Sequence, residues 1–225
     1  MAEKFHAELD TLKKDTVKMA RFGRSMLRDA VDAMVRQDTQ LAESVVARKE
    51  KIHELEVELE ERCYQLIALY QPMAKDMREI ACTLKVITAS LRIGRYGKVI
   101  AKIVNEISDA GNGPAIRSIP RTSPMMSIPH MADLAIDMID DAIEAYDTST
   151  LRLIEDFSSR DDTIDALRHS IFREGITHMM ENPRSLTRCT HFIMVARYLE
   201  RCADHACNIA ENVHYMETGE RIEIH

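Results

Sequence analysis

Two short runs hold side chains that can do chemistry together. RDDTIDALRH sets Asp161 and Asp165 four residues apart, with His169 four further on. YLERCADHACN sets Glu200 and Asp204 four apart, with Asn208 next on the same line. Four residues is just over one helical turn, so each set shares a helix face. Like charges at that spacing repel by roughly 0.2–0.5 kcal/mol, and two facing pairs repel more. A multivalent cation between the helices removes that cost, since carboxylate oxygens on facing helices suit hard and borderline cations. The plainer alternative is a solvated face on an acidic chain. His205 and His214 are further nitrogen donors close by in the chain.

A second charged run has the opposite sign. Arg92, Arg95, Lys98 and Lys102 recur at helical spacing and make a basic stripe. Such a stripe binds an anion, meets an acidic partner surface, or is simply solvated. Neither run is accompanied by a G-x-S-x-G elbow, a Walker loop or an H-E-x-x-H motif. Three classes of function stay open: a metal-binding regulatory adaptor, a carboxylate-bridged metalloenzyme, and a metal-free helical interaction protein. Nothing aims a substrate at the carboxylates, which favours an adaptor without catalytic residues over an enzyme.

Long helices must position these groups. The 225 residues include only 7 Gly and 6 Pro, no Trp and 14 Met. Few turn formers and few aromatics disfavour strands, while flexible Met fills gaps between helices. The balance of 30 Lys+Arg against 37 Asp+Glu gives −7, which offers no general footing for nucleic acid. There is no run of 18 apolar residues and no apolar leader at the start. The five cysteines (Cys63, Cys82, Cys189, Cys202 and Cys207) form no CxxC pair. They read as reduced, core-packed thiols in a cytoplasmic protein.

The punctuation is uneven. GNGPAIRSIPRTSPMMSIP gathers six of the Gly and Pro residues and divides the chain near its middle. At an offset of 112, residues 19–55 lie over 131–167 without a gap, and 11 of 37 pairs are identical. They include Asp29/Asp141, Arg48/Arg160 and Ile52/Ile164. Pro72 lies over Pro183, and at offset 109 Arg92, Ile100 and Ala101 lie over Arg201, Ile209 and Ala210. Such self-similarity marks a structural repeat. Each half reads as three helices: about 10–46, 52–70 and 74–107, then about 130–158, 160–181 and 184–217. Short links make neighbours antiparallel. The expectation is all-α: two tandem three-helix bundles over 1–110 and 130–225, six long helices, joined by a linker over 111–129. Pro72 with Asp76 reads as a loop and helix start, and Gly94 and Gly97 as points of close helix approach.

These runs resemble the PhoU family, accessory regulators of phosphate transport. RYLERCADHACNIAE is similar to its third-helix signature, QPMAKDMR at 71–78 to the link in its first repeat, and RDDTID to the opening of its second helix. The likeness covers nearly the whole chain. It implies a cytoplasmic negative regulator of phosphate uptake and signalling. The implied partners are the nucleotide-binding subunit of a phosphate ABC importer and a sensor histidine kinase, so membrane contact comes through partners only. For the oligomer, the resemblance leaves monomer and homodimer both open. The family holds metal clusters on E/D-x-x-x-D motifs. The matching positions are Asp161, Asp165, Glu200 and Asp204, with His169 and Asn208 as supplementary donors, for iron, zinc, manganese or magnesium.

The first half departs from that pattern. Lys49 lies over Asp161, His53 over Asp165, Leu91 over Glu200 and Arg95 over Asp204. Protonated Lys and Arg cannot ligate a metal. The expectation is therefore one metal site, in the second repeat only. A remnant set of His53, Glu50 and Glu54 is a weaker candidate in the first.

Overall fold

The computed structural model describes residues 2–109 and 126–224. Seven α-helices make up nearly all of it: α1 Ala2–Arg36, α2 Thr39–Ala47, α3 Lys49–Tyr70, α4 Ala74–Asp109, α5 Ile128–Thr148, α6 Phe157–Glu181 and α7 Leu186–Thr218. No strand occurs among the described residues. Six of the helices are long, as expected, and α2 is short.

The extra helix corrects the expected 10–46 span. The chain is already helical at Ala2, then breaks where Gln37 takes φ 57. Asp38 restarts it by accepting a hydrogen bond from the Leu41 N–H at 2.9 Å. The second repeat breaks at the equivalent place. Ser149 takes φ 59, a 3-10 turn follows over Leu151–Ile154, and α6 opens at Phe157. Most of the expected linker lies outside the described residues, and its last part, Ile128–Pro129, is already the first turn of α5.

The first repeat runs up-down-up. Gly23 on α1, Ile52 on α3 and Gly94 on α4 meet, with the Ile52 methyl against both glycines. A Cβ on Gly97 would lie 2.8 Å from the Met26 carbonyl oxygen and the Leu27 nitrogen, so α1 and α4 pack backbone to backbone there. The expected role of Gly94 and Gly97 is thus the observed one. The repeat also shows in its ion pairs. Arg48 reaches Asp29 at 2.5 Å, and their counterparts Arg160 and Asp141 pair at 2.7 Å.

The two three-helix repeats share a core. One continuous core joins them through α1 against α5 and α4 against α7. Along the first seam Arg24 chelates Asp140 with its Nε at 2.9 and 3.0 Å, and Arg28 reaches Asp133 at 2.5 Å. Between α4 and α5, the buried Tyr146 hydroxyl bonds Thr83 Oγ1 at 2.7 Å. No helix among the described residues is long and apolar enough to cross a membrane.

Candidate metal centre

The carboxylates lie where α6 and α7 run antiparallel. Ile164, Ile171, Leu199, Cys202, Ala203 and Ala206 are buried, which turns the adjoining polar faces toward a shared groove. Two links fix the register. The Cys207 thiol donates to the Asp161 carboxylate. Arg168 places its Nε 3.0 Å from Glu200 Oε1 and 4.0 Å from Asp165 Oδ1. The four predicted carboxylates are thus brought to one groove, and Arg168 comes with them.

Their electrostatics reflect crowding. Burial raises the Asp161 carboxyl above its usual range, and the charges of Asp165, Asp162 and Glu200 raise it further. Burial also raises Glu200, helped by Asp204 and Asp165 and opposed by Arg168. Asp204 is raised by burial and then by Asp161, with Arg201 and Arg168 opposing. Each group resists ionisation first because it is partly desolvated and then because its neighbours are ionised.

The donor set suits a hard or borderline cation: four carboxylates, with the Arg168 guanidinium against Glu200 and Arg201 3.7 Å from Asp204. The coordination shell is not drawn together, since no group of three or more His, Cys, Asp or Glu side chains converges among the described residues. Arg168 instead supplies the counter-charge. Arg168 at seven residues beyond Asp161 lies on the same helix face as the acids, and that spacing was the signal for it in the sequence.

The supplementary donors are placed elsewhere. His169 turns its Nδ1 to the Asp165 carbonyl at 2.8 Å and packs against the Arg168 guanidinium. Asn208 is exposed one turn beyond Asp204. His205 stacks on Tyr96 of α4 with ring centroids 5.9 Å apart, and burial pushes its pKa down to about 4. His214 bonds the Glu220 carbonyl beyond the end of α7. In the first repeat His53 pairs with Glu56 at 2.8 Å rather than gathering Glu50 and Glu54. Asp76 stands in the first turn of α4, 3.7 Å from His6 Nε2. All five cysteines are free and buried. Burial raises Cys63 and Cys82 to about 12, so they pack as inert core thiols.

The PhoU domain model matches this chain twice, over residues 16–104 and 128–213. The chain belongs to the PhoU family. A Caulobacter vibrioides protein named phosphate-specific transport system accessory protein PhoU homolog is 37% identical over 96% of this chain and 90% of its own length. The homolog so named from Rhizobium meliloti is 36% identical over 96% of this chain and 87% of its own. Among solved structures, PhoU from Pseudomonas aeruginosa superposes with a TM-score of 0.88 at 29% identity, covering 96% of this chain and all of that one.

The two PhoU domains also check the internal register. Their starts differ by 112 residues and their ends by 109, the two offsets read from the sequence. Those offsets replace several acids of the second repeat by cations in the first, while Glu200 answers to the buried Leu91. Asp161, Asp165, Asp204 and Glu211 of the second domain answer to Lys49, His53, Arg95 and Lys102 of the first. Of the two cations beside the acids, Arg168 answers to Glu56 and Arg201 to Arg92. Tyr96 and His205 are themselves counterparts, and they stack on each other where α4 meets α7.

Proposed function

We propose that this PhoU-family chain is a non-enzymatic regulator of phosphate uptake and phosphate signalling that acts on the transport machinery from the cytoplasm. Coverage supports the reading. Both repeats match the family, and relatives named as accessory proteins of a phosphate-specific transport system align over 96% of the chain. The immediate partner is the nucleotide-binding subunit of the importer, and a sensor histidine kinase and a second copy of the chain are further partners. A transport-blocking adaptor needs a rigid body with distinct faces, which the single core shared by both repeats supplies.

Within that role the second repeat is the metal-responsive half. Asp161, Asp165, Glu200 and Asp204 would hold the ion, which would supply charge neutralisation and stiffen α6 against α7. The ion would have to displace Arg168 from Glu200. That same ion pair is what favours the second reading, a metal-free adaptor whose groove is closed by Arg168. Loss of the gene should raise phosphate uptake and derepress phosphate-responsive expression in the native host, and the importer's nucleotide-binding subunit should co-purify with the intact chain. Unchanged uptake and expression in the deletion strain would overturn the regulatory reading.

A further inference from the structure

The first repeat carries Lys49, Arg95 and Lys102 where the second carries acids, and Lys98 where it carries Cys207. Ile52 of α3 packs against Gly94 of α4, which sets Lys49, one turn before Ile52, beside the Arg95–Lys98 stretch of α4. Lys102 follows Lys98 by one turn on the same helix. Lys49 pairs only with its exposed neighbour Glu50, at 3.0 Å. Arg95, Lys98 and Lys102 make no ion pair or hydrogen bond among the described residues. Burial and then the charges of Lys102, Lys49 and Arg95 hold the Lys98 ammonium below its ordinary pKa, with Glu50 opposing. The four cations line one face of the α3/α4 pair, Arg95 and Lys98 half-buried and Lys49 and Lys102 exposed.

We propose that the α3/α4 groove of the first repeat binds a compact phosphoryl anion, held by Lys49, Arg95, Lys98 and Lys102. The chemistry of the groove selects the ligand class. Four cations within about three turns of α4 and the start of α3 need several negative charges in a small volume, which a phosphate or phosphoanhydride offers and a single carboxylate or chloride does not. Arg95 adds a planar fork that matches phosphoryl oxygens, and the lysines act as point charges. The groove occupies the position equivalent to the acidic one, so the two repeats divide the labour: one is built for a cation, the other for an anion. The inference stands on the first repeat alone and holds whether or not the second binds metal.

The test is calorimetric titration of the full chain with inorganic phosphate and with pyrophosphate at low ionic strength. It is done in a Glu200→Gln/Asp204→Asn background, so that metal in the second repeat cannot capture the titrant. Saturable binding is expected, weakened at least tenfold by Lys98→Gln with Lys102→Gln and weakened by added salt. Circular dichroism checks that the exposed-charge variants stay folded. Co-sedimentation with phosphatidylglycerol vesicles, competed by pyrophosphate, would place the phosphoryl group on a lipid; titration without vesicle binding would place it on a free anion. Absence of both, or equal binding by the double variant, overturns the proposal and leaves this face to an acidic protein surface.

Discussion

Replacing Arg168 by Gln separates the metal-binding reading from the metal-free one. The Arg168–Glu200 pair is 3.0 Å long, with side chains 26% and 20% exposed. At an effective dielectric of 20, that separation gives an attraction of about 5 kcal/mol before desolvation and ordering are subtracted. Fully exposed pairs contribute roughly 0.2–1 kcal/mol, and removing one partner of a buried pair costs about 3–5 kcal/mol. The partial burial here points to about 1.5 kcal/mol for the metal-free protein. For a chain of this size that lowers the melting temperature by about 3–6 °C. The same free energy is what an entering cation must overcome, so the Gln variant should bind Mn(II), Zn(II) or Fe(II) about tenfold more tightly. Metal-free melting by circular dichroism and chelator competition read the two effects. If Arg168→Gln binds metal no more tightly than the parent, Arg168 is not the built-in counter-cation.

Asp161, Glu200 and Asp204 have folded pKa values raised by burial and by one another. The native state therefore holds protons that the unfolded chain releases, and stability of the metal-free protein falls as pH rises from the ordinary carboxylate range through the raised values. Asp204→Asn should then stabilise the metal-free protein at neutral pH by about 0.5 kcal/mol, flatten that pH slope, and weaken metal binding; a lowered metal-free melting temperature would contradict the crowding account. Gly97→Ala gains about 1 kcal/mol of helix propensity. The new Cβ, however, meets backbone of α1 at 2.8 Å, which cannot yield as a side chain does. A net loss of about 2 kcal/mol or more is expected in denaturant unfolding. Gly175→Ala, whose Cβ would meet only the Ile193 side chain (Cδ1 at 3.0 Å, Cγ1 at 3.2 Å), should be near neutral.

Much of this was legible because duplication makes the chain its own control. The identities Asp29/Asp141 and Arg48/Arg160 foretold a shared register, and the two ion pairs show it in space. The carboxylate groove was legible because i, i+4 spacing fixes a helix face. The break after α1 was missed because it uses neither Gly nor Pro: Gln37 takes a left-handed conformation and the Asp38 carboxylate caps α2. The two tandem bundles were legible, but the core they share was not, because sequence periodicity reports that a face is apolar, not which face it meets. The seam of Arg24 and Arg28 against Asp140 and Asp133 joins residues more than a hundred apart. Arg168 had a readable spacing, but its effect on the acids depends on where α7 lies. His205 was a plausible donor by sequence and proves to stack on Tyr96, since one residue beyond Asp204 turns the side chain toward α4.

Elemental analysis of the untagged protein purified from its native host is the most direct test of a regulator that carries metal in its second repeat alone. The wild type should hold stoichiometric iron, zinc or manganese. Glu200→Ala with Asp204→Ala should lose it, while Lys98→Gln with Lys102→Gln in the first repeat should keep it. A metal-free wild type, or full metal retention after both carboxylates are removed, would contradict the account.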